Sequence, residues 1–105
     1  MTIIPLDKRD GLIWFDGKYV EWQQAKVHLV THSLHYASSV YEGCRNYNGY
    51  KFKLEQHITR LFKSAEILKL QIPFSQKQII AAINDYIAKI NISNGYLRPL
   101  VWRGS

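Results

Sequence analysis

Two arginines are the residues of this sequence best suited to bind an anion. Arg60 lies beside the apolar residues Ile58 and Leu61, at the rim of a stripe with helical spacing. Its guanidinium could present a planar donor fork to a phosphate, or its stem could cover apolar surface; the residues alone favour the second interpretation. Arg98 interrupts an apolar stretch, where a charge requires either a structural carboxylate or a bound ligand.

Three histidines and one cysteine could bind a metal or act as a nucleophile. His28, His32 and His35 are four and three residues apart, which would align them on one face of a helix. The stretch contains no Asp, Glu or Cys to complete a metal site, so we expect no metal there. Cys44 precedes Arg45, but neighbouring residues of a strand point to opposite faces, so a buried, inert thiol is predicted.

Composition favours one domain over residues 1–105, since 105 residues with 47% apolar content can form a core. The net charge of +6 comes mainly from scattered lysines, which does not indicate a nucleic-acid partner. No apolar run approaches the roughly 20 residues of a membrane span. Residues 1–10 mix acids and bases, unlike a signal peptide. We therefore expect a cytoplasmic protein that binds neither nucleic acid nor membranes.

Two turn signals predict two hairpins in the first half of the chain. Asp16-Gly17 and Asn48-Gly49 suit the positive φ angles of type I′ turns. Each separates two runs rich in β-branched and aromatic residues, which are residues 12–15 and 18–22 and residues 39–47 and 50–54. The connection over residues 23–37 has no clean period, and long connections of this kind often carry function.

The second half of the chain predicts two helices and a strand. Apolar residues recur at helical spacing from Leu54, in a helix that Pro73 should stop. Ser75 begins a second helix with a capping-box pattern. Asn94-Gly95 predicts a turn, and residues 96–102 a buried strand. The fold class is therefore α+β, a mostly antiparallel sheet with two helices packed on one face.

Six stretches of the sequence form an ordered set of motifs. They are IWFDG at 13–17, AKVH at 25–28, HSLHY at 32–36, VYEGCR at 40–45, HITRL at 57–61 with SA at 64–65, and YLRPL at 96–100. In order and spacing, from about residue 12 to 105, they resemble the fold-type IV pyridoxal-phosphate transaminases. The resemblance is strongest to the branched-chain L-amino-acid aminotransferases. Each motif alone is weak, whereas the ordered set is specific.

The resemblance implies roles in cofactor binding and assembly. Arg60 corresponds to the arginine that grips the phosphate of pyridoxal phosphate, which reverses the interpretation favoured by the residues alone. Tyr36 matches a tyrosine on a loop that reaches the active site of the neighbouring subunit, so the resemblance implies a homo-oligomer.

The resemblance also implies a substrate pocket. Tyr41 takes the place of an aromatic residue that lines the pocket for the branched side chain, Gly43 keeps that wall low, and Arg45 lies beside it. Tyr96 matches a hydroxyl near the substrate carboxylate, and Arg98 matches the arginine that receives the distal carboxylate of glutamate. Such a pocket must accept both an apolar side chain and a second carboxylate.

The implied activity is transfer of an amino group between leucine, isoleucine or valine and 2-oxoglutarate. The stretch YEGCR at 41–45 separates this group from relatives of the same fold that act on D-amino acids or aminodeoxychorismate. In this family the catalytic lysine, the acid that pairs with the pyridine nitrogen and a second phosphate loop belong to a larger C-terminal domain.

No lysine of this sequence matches the catalytic position, and the chain stops directly after a strand. We therefore expect the N-terminal small domain alone, without catalytic residues, interrupted before the catalytic domain and inactive by itself. A non-catalytic product of a truncated gene, or an assembly module, is the alternative.

Overall fold

The computed structural model describes residues 3–104 and confirms an α+β fold with antiparallel strand pairing. Within these residues no helix has the length and apolar composition needed to cross a membrane. Short 3₁₀ turns occur at Leu6–Lys8 and Trp22–Gln24. The other elements are β1 Leu12–Phe15, β2 Lys18–Glu21, α1 His32–Tyr36, β3 Ser39–Tyr41, β4 Cys44–Tyr47, β5 Tyr50–Lys51, α2 Leu54–Ile67, α3 Gln76–Ile90, β6 Asn94–Leu97 and β7 Leu100–Trp102.

The first hairpin joins β1 and β2 as predicted. Asp16 and Gly17 both have positive φ, 52° and 88°, which is the backbone of a type I′ turn. The hairpin packs against the helical layer, because the ring of Trp14 meets that of Phe74 edge-on and the hydroxyl of Tyr86 donates to the carbonyl of Leu12 at 2.6 Å.

A long antiparallel ribbon carries most of the candidate site. β3 pairs with β7 and β4 with β6 in one uninterrupted register, from Ser39 opposite Trp102 to Tyr47 opposite Asn94. The ladder breaks where Glu42 faces Pro99, because proline has no N–H to donate. The bond that remains there runs from the amide of Glu42 to the carbonyl of Pro99, at 3.0 Å. The predicted strands 39–47 and 96–102 are therefore each divided in two.

Two predictions about chain reversals are wrong. Asn94-Gly95 is not a turn but the start of β6, and the chain turns earlier at Asn91, whose φ is 52°. The return strand of the second hairpin is also short: β5 is Tyr50–Lys51, since Leu54 already begins α2. The turn of that hairpin at Asn48-Gly49 is as predicted, with positive φ at both residues.

The helices begin where the sequence predicts, but α2 ends earlier than expected. Its last turn closes in a Schellman motif, with Lys69 left-handed at φ 57° and the amide of Leu70 donating to the carbonyl of Ala65 at 2.8 Å. Pro73 therefore follows the helix rather than stopping it. α3 starts with the predicted capping box between Ser75 and Gln78. The 23–37 connection contains α1, a third helix that sequence periodicity missed.

The core lies between one face of the ribbon and the two long helices. It consists of buried residues from β4, β6, α2 and α3, namely Cys44, Leu54, Ile58, Leu61, Ile79, Ile87 and Leu97. Cys44 is fully buried, as predicted, and its thiol donates to the carbonyl of Phe52 at 3.3 Å. Burial raises the pKa of this thiol, which keeps it in its unreactive, protonated form.

Candidate functional site

The ribbon separates two groups of side chains by simple alternation. Successive residues of a strand point to opposite faces, so every second residue of 40–46 faces the core: Val40, Glu42, Cys44 and Asn46. The residues between them face away from the core. With their cross-strand neighbours on β6 and the break after it, they form the outer face: Tyr41, Gly43, Arg45, Tyr96 and Arg98.

Arg98 lies on aromatic rings of this outer face. Its guanidinium carbon is 4.2 Å from the ring centroid of Tyr41 and 5.9 Å from that of Tyr96. Within residues 3–104 no carboxylate forms a salt bridge with it. The choice left open by the sequence therefore has a third answer, since the charge is held by the faces of two tyrosines. A stacked guanidinium keeps its in-plane N–H donors directed outward.

Gly43 provides the space in which the Tyr96 ring lies. A Cβ at position 43 would be 2.9 Å from two ring atoms of Tyr96 and closer still to its hydroxyl. The backbone of Gly43 is not left-handed, so space rather than conformation requires glycine here. Arg45, directly opposite Tyr96 in the ladder, extends over the ring of Tyr47 at 5.9 Å.

Arg60 projects from α2 to a carboxylate that the sequence analysis did not identify. Its Nε and Nη2 donate to the two oxygens of Glu42, each at 2.7 Å, in a bidentate pair. His57, one turn earlier on α2, contacts Glu42 Oε1 through Nδ1 at 2.8 Å. Glu42 is only 5% exposed, whereas Arg60 is 67% exposed. A buried carboxylate thus meets the guanidinium at the surface.

Charge pairing shifts both partners in the expected directions. The Arg60 guanidinium lowers the pKa of Glu42 against the opposing effect of burial, and His57 lowers it further. Glu42 in turn raises the pKa of Arg60. Because the ionised carboxylate can only accept, the hydrogen on the His57 ring must be on Nδ1. Both groups of the pair therefore stay charged near neutral pH.

The signal for Glu42 was present in the sequence. It lies between Val40 and Cys44 in the alternation that predicts a buried face, and a carboxylate on such a face requires a cationic partner. Arg60 keeps three further N–H groups, on Nη1 and Nη2, that Glu42 does not use. An exposed, planar, charged donor edge is the geometry that suits a phosphate.

Tyr36 lies apart from the outer face, at the end of α1. It is 74% exposed, and its ring contacts are with His32 and His35 of the same helix. The other two histidine interactions are with the backbone: His28 Nδ1 accepts from the amide of Val30, and His35 Nε2 meets the carbonyl of Leu29 at 2.7 Å. Among the described residues no three His, Cys, Asp or Glu side chains cluster as a metal site would require.

An apolar cavity of about 740 Å³ borders the outer face. It lies between the first hairpin, α3 and the second strand of the ribbon, and Trp14, Ile83 and Trp102 are among its walls. Tyr96 and Arg98 also line it. A mostly apolar cavity with a few polar groups at one side is the usual form of a small-molecule site.

Comparison with known proteins gives consistent matches over nearly the whole chain. Residues 39–105 match the sequence family described as "Amino-transferase class IV". A protein of Rickettsia felis described as "Probable branched-chain-amino-acid aminotransferase" is 48% identical over 104 residues, which cover 99% of this chain and 36% of that protein. The chain therefore spans about a third of the length of such relatives.

Solved structures give the same result. The crystal structure of a branched-chain amino acid aminotransferase from Escherichia coli superposes with a TM-score of 0.88 at 38% identity, over 92% of this chain and 34% of that one. The enzyme of the same name from the source abbreviated T.th. gives 0.84 at 36% identity, over 90% and 33%. It has been solved with N-(5′-phosphopyridoxyl)-L-glutamate and with 4-methylvaleric acid.

Proposed function

The chain belongs to the class IV aminotransferases, and we propose that residues 1–105 form the N-terminal small domain of a branched-chain amino-acid aminotransferase. The complete protein would transfer an amino group between leucine, isoleucine or valine and 2-oxoglutarate, with pyridoxal phosphate as cofactor. The observation that carries this proposal is the outer face, where Arg98 lies over Tyr41 and beside Tyr96.

The outer face suits substrates of two kinds. Tyr41 offers an aromatic surface to a branched side chain, and Gly43 leaves that surface without a projecting group. Arg98 rests on the same ring, so its donors can bind the distal carboxylate of glutamate without crossing an apolar core. Tyr96 and Arg45 border this space. The support is a charge and an apolar wall within 4.2 Å of each other.

Arg60 has the donor chemistry to bind one side of the cofactor phosphate. Three of its N–H groups are free of Glu42, and most of the side chain is exposed. When bound, pyridoxal phosphate supplies an electron sink for the bonds of the substrate α-carbon. The part of this chain is then to hold and orient: Arg60 the phosphate, and the outer face the substrate.

We assign Tyr36 to contact with a second subunit. The tyrosine and the apolar residues before it in the chain are exposed, and Leu29, Val30 and Leu34 are each more than half exposed. Exposed apolar side chains grouped in this way are typical of surfaces that meet another protein. A homo-oligomer, in which this segment faces the partner, is the assembly that the resemblance implies.

An assay of the full-length protein tests the proposed activity. We expect amino transfer from L-leucine to 2-oxoglutarate, dependent on added pyridoxal phosphate, and none from D-alanine. Activity with D-alanine and none with L-leucine would exclude the proposal in favour of a relative of the same fold. The nucleotide sequence after the codon for Ser105 decides the alternative of a non-catalytic product, because that alternative requires the reading frame to end there.

A further inference from the structure

Glu42 is a charged residue at a position where an apolar one would cost less. It is 5% exposed and lies on the core face of the ribbon between Val40 and Cys44. Removing a carboxylate from water is costly, and replacing a buried ion pair by apolar side chains is often neutral or stabilising. Fold stability alone therefore does not explain a glutamate here. What the carboxylate does to its partners is the better guide to its role.

The carboxylate fixes the plane of the Arg60 guanidinium. Two parallel bonds of 2.7 Å, from Nε and Nη2, allow one orientation of the guanidinium relative to Glu42. Without them the side chain, 67% exposed, would be free to change rotamer in solvent. The bonds leave the Nη1 edge of the guanidinium directed away from Glu42. A single edge is thus held ready for an anion.

Glu42 is itself held from two directions. Its amide donates to the carbonyl of Pro99 at 3.0 Å, in the break between the two ladders of the ribbon. Its Oε1 accepts from Nδ1 of His57 at 2.8 Å, and His57 lies on α2 one turn before Arg60. The three side chains therefore form a chain of contacts from His57 through Glu42 to Arg60, anchored on a strand and a helix.

We infer that Glu42 is a positioning residue for the phosphate of the cofactor, acting through Arg60, with His57 holding the carboxylate in place. This inference rests on the proposed function, since it requires Arg60 to meet the phosphate. It extends that function to two residues whose side chains do not themselves offer a phosphate site. Positioning of this kind lowers the entropy lost when the ligand binds, because the arginine is already ordered.

The test compares two ligands that differ only in the phosphate. Binding of pyridoxal phosphate and of pyridoxal is measured on the full-length apoprotein for the wild type, Glu42→Gln, Arg60→Ala and the double variant. We expect Glu42→Gln to weaken pyridoxal-phosphate binding roughly 5- to 10-fold, about the cost of ordering one long side chain, and to leave pyridoxal binding unchanged. In the Arg60→Ala background the same substitution should have no further effect.

Glu55→Gln is the matched control. Glu55 lies in the first turn of α2, is exposed and forms no salt bridge within the described residues, so its substitution should change neither affinity. If Glu42→Gln does not fold, His57→Phe takes its place with the same two ligands. It removes the second anchor of the carboxylate and leaves Glu42 and Arg60 intact. We expect a smaller loss, again confined to pyridoxal phosphate.

The outcomes separate this inference from the proposed function. A phosphate-specific loss in Arg60→Ala, with none in Glu42→Gln, overturns the role of Glu42 and leaves the proposed function standing. No phosphate-specific loss in Arg60→Ala overturns the phosphate role of Arg60, and the inference with it. Equal losses for both ligands in Glu42→Gln, or in His57→Phe where that variant replaces it, also overturn the inference, since they indicate a general disturbance of the fold.

Discussion

The two arginines of the candidate site hold their charge in different ways at the scale of single residues. Arg60 binds a buried carboxylate through two short bonds, whereas Arg98 lies over the faces of Tyr41 and Tyr96. An ion pair fixes the plane of a guanidinium, but a stacked guanidinium can slide and rotate over a ring. Arg60 is thus suited to a ligand group that stays in place, and Arg98 to one that is present only with some substrates.

Replacement of Gly43 by alanine tests the contact between the ribbon and Tyr96. The added methyl would be 2.9 Å from the Tyr96 ring, so the ring must move outward. Because Tyr96 is about half exposed it can do so, and we expect a loss of stability of about 1 kcal/mol, at the low end for overpacking. In the full-length protein kcat/KM for leucine should fall, on the order of tenfold.

Gly104→Ala is the control for that substitution. No atom lies within 4 Å of a Cβ at Gly104, and its φ is not left-handed, so stability and kcat/KM should stay at their wild-type values. Equal behaviour of Gly43→Ala and Gly104→Ala in urea unfolding and in the leucine assay would show that Tyr96 does not depend on Gly43.

The ion pair of Glu42 predicts a specific dependence of stability on pH. Arg60 holds the pKa of Glu42 below its ordinary 4.5, so the unfolded chain takes up this proton at a higher pH than the folded chain. The contribution is therefore fully present above pH 4.5 and is lost as the pH falls through the folded pKa. Urea unfolding between pH 6 and pH 3 should show a steeper loss for the wild type than for Glu42→Gln. Parallel curves would contradict this expectation.

At the scale of elements, local signals in the sequence predicted the starts of α2 and α3 and the turns of both hairpins. A capping box and an Asp-Gly or Asn-Gly pair depend on residues close in the chain, and such signals can be read directly. The division of the ribbon was missed because it depends on which residue faces Pro99, and that follows from the register of strands more than fifty residues apart. The end of α2 was missed because a lysine, not a glycine, adopts the left-handed conformation there.

Lys69 offers a test of that helix end. A left-handed conformation costs an ordinary residue about 1 kcal/mol or more, and glycine adopts it freely. Lys69→Gly should therefore raise the free energy of unfolding by about 0.5–1 kcal/mol, measured by urea unfolding. The control is Lys63→Gly, within α2, which should lower it by about 1 kcal/mol. A loss of stability in both variants would mean that the left-handed turn is not the dominant cost at Lys69.

The candidate site shows the same limit of sequence reasoning. Tyr41, Gly43, Arg45, Tyr96 and Arg98 were predicted as substrate residues, and the structure brings them to one face of the ribbon. Their roles stay predictions until the variants are assayed. Motif resemblance identifies residues that meet a ligand, whereas Glu42 and His57 meet other residues of the chain. Only the fold shows that kind of contact.

At the scale of the whole molecule, the surface is apolar in one region despite a net charge of +6. Leu29, Val30, Leu34 and Tyr36 are all more than half exposed and lie within eight residues of one another. This segment is tied to the end of the ribbon, since the amide and hydroxyl of Ser33 both bond to the backbone of Arg103. It is thus an ordered apolar surface attached to the site, and not a free loop.

That surface leads to a prediction about association. Burying grouped apolar side chains between two copies is favourable by about 25 cal/mol per Å², so we expect the 105-residue chain to self-associate at micromolar concentration. Light scattering over a dilution series measures the mass. Leu34→Asp places a charge in the centre of the segment and should shift the chain toward monomer, whereas Ile67→Asp, on the exposed side of α2, should not. A monodisperse monomer at high micromolar concentration of the wild type would contradict the role given to Tyr36. If both variants dissociate equally, association depends on general apolar exposure rather than on the α1 segment.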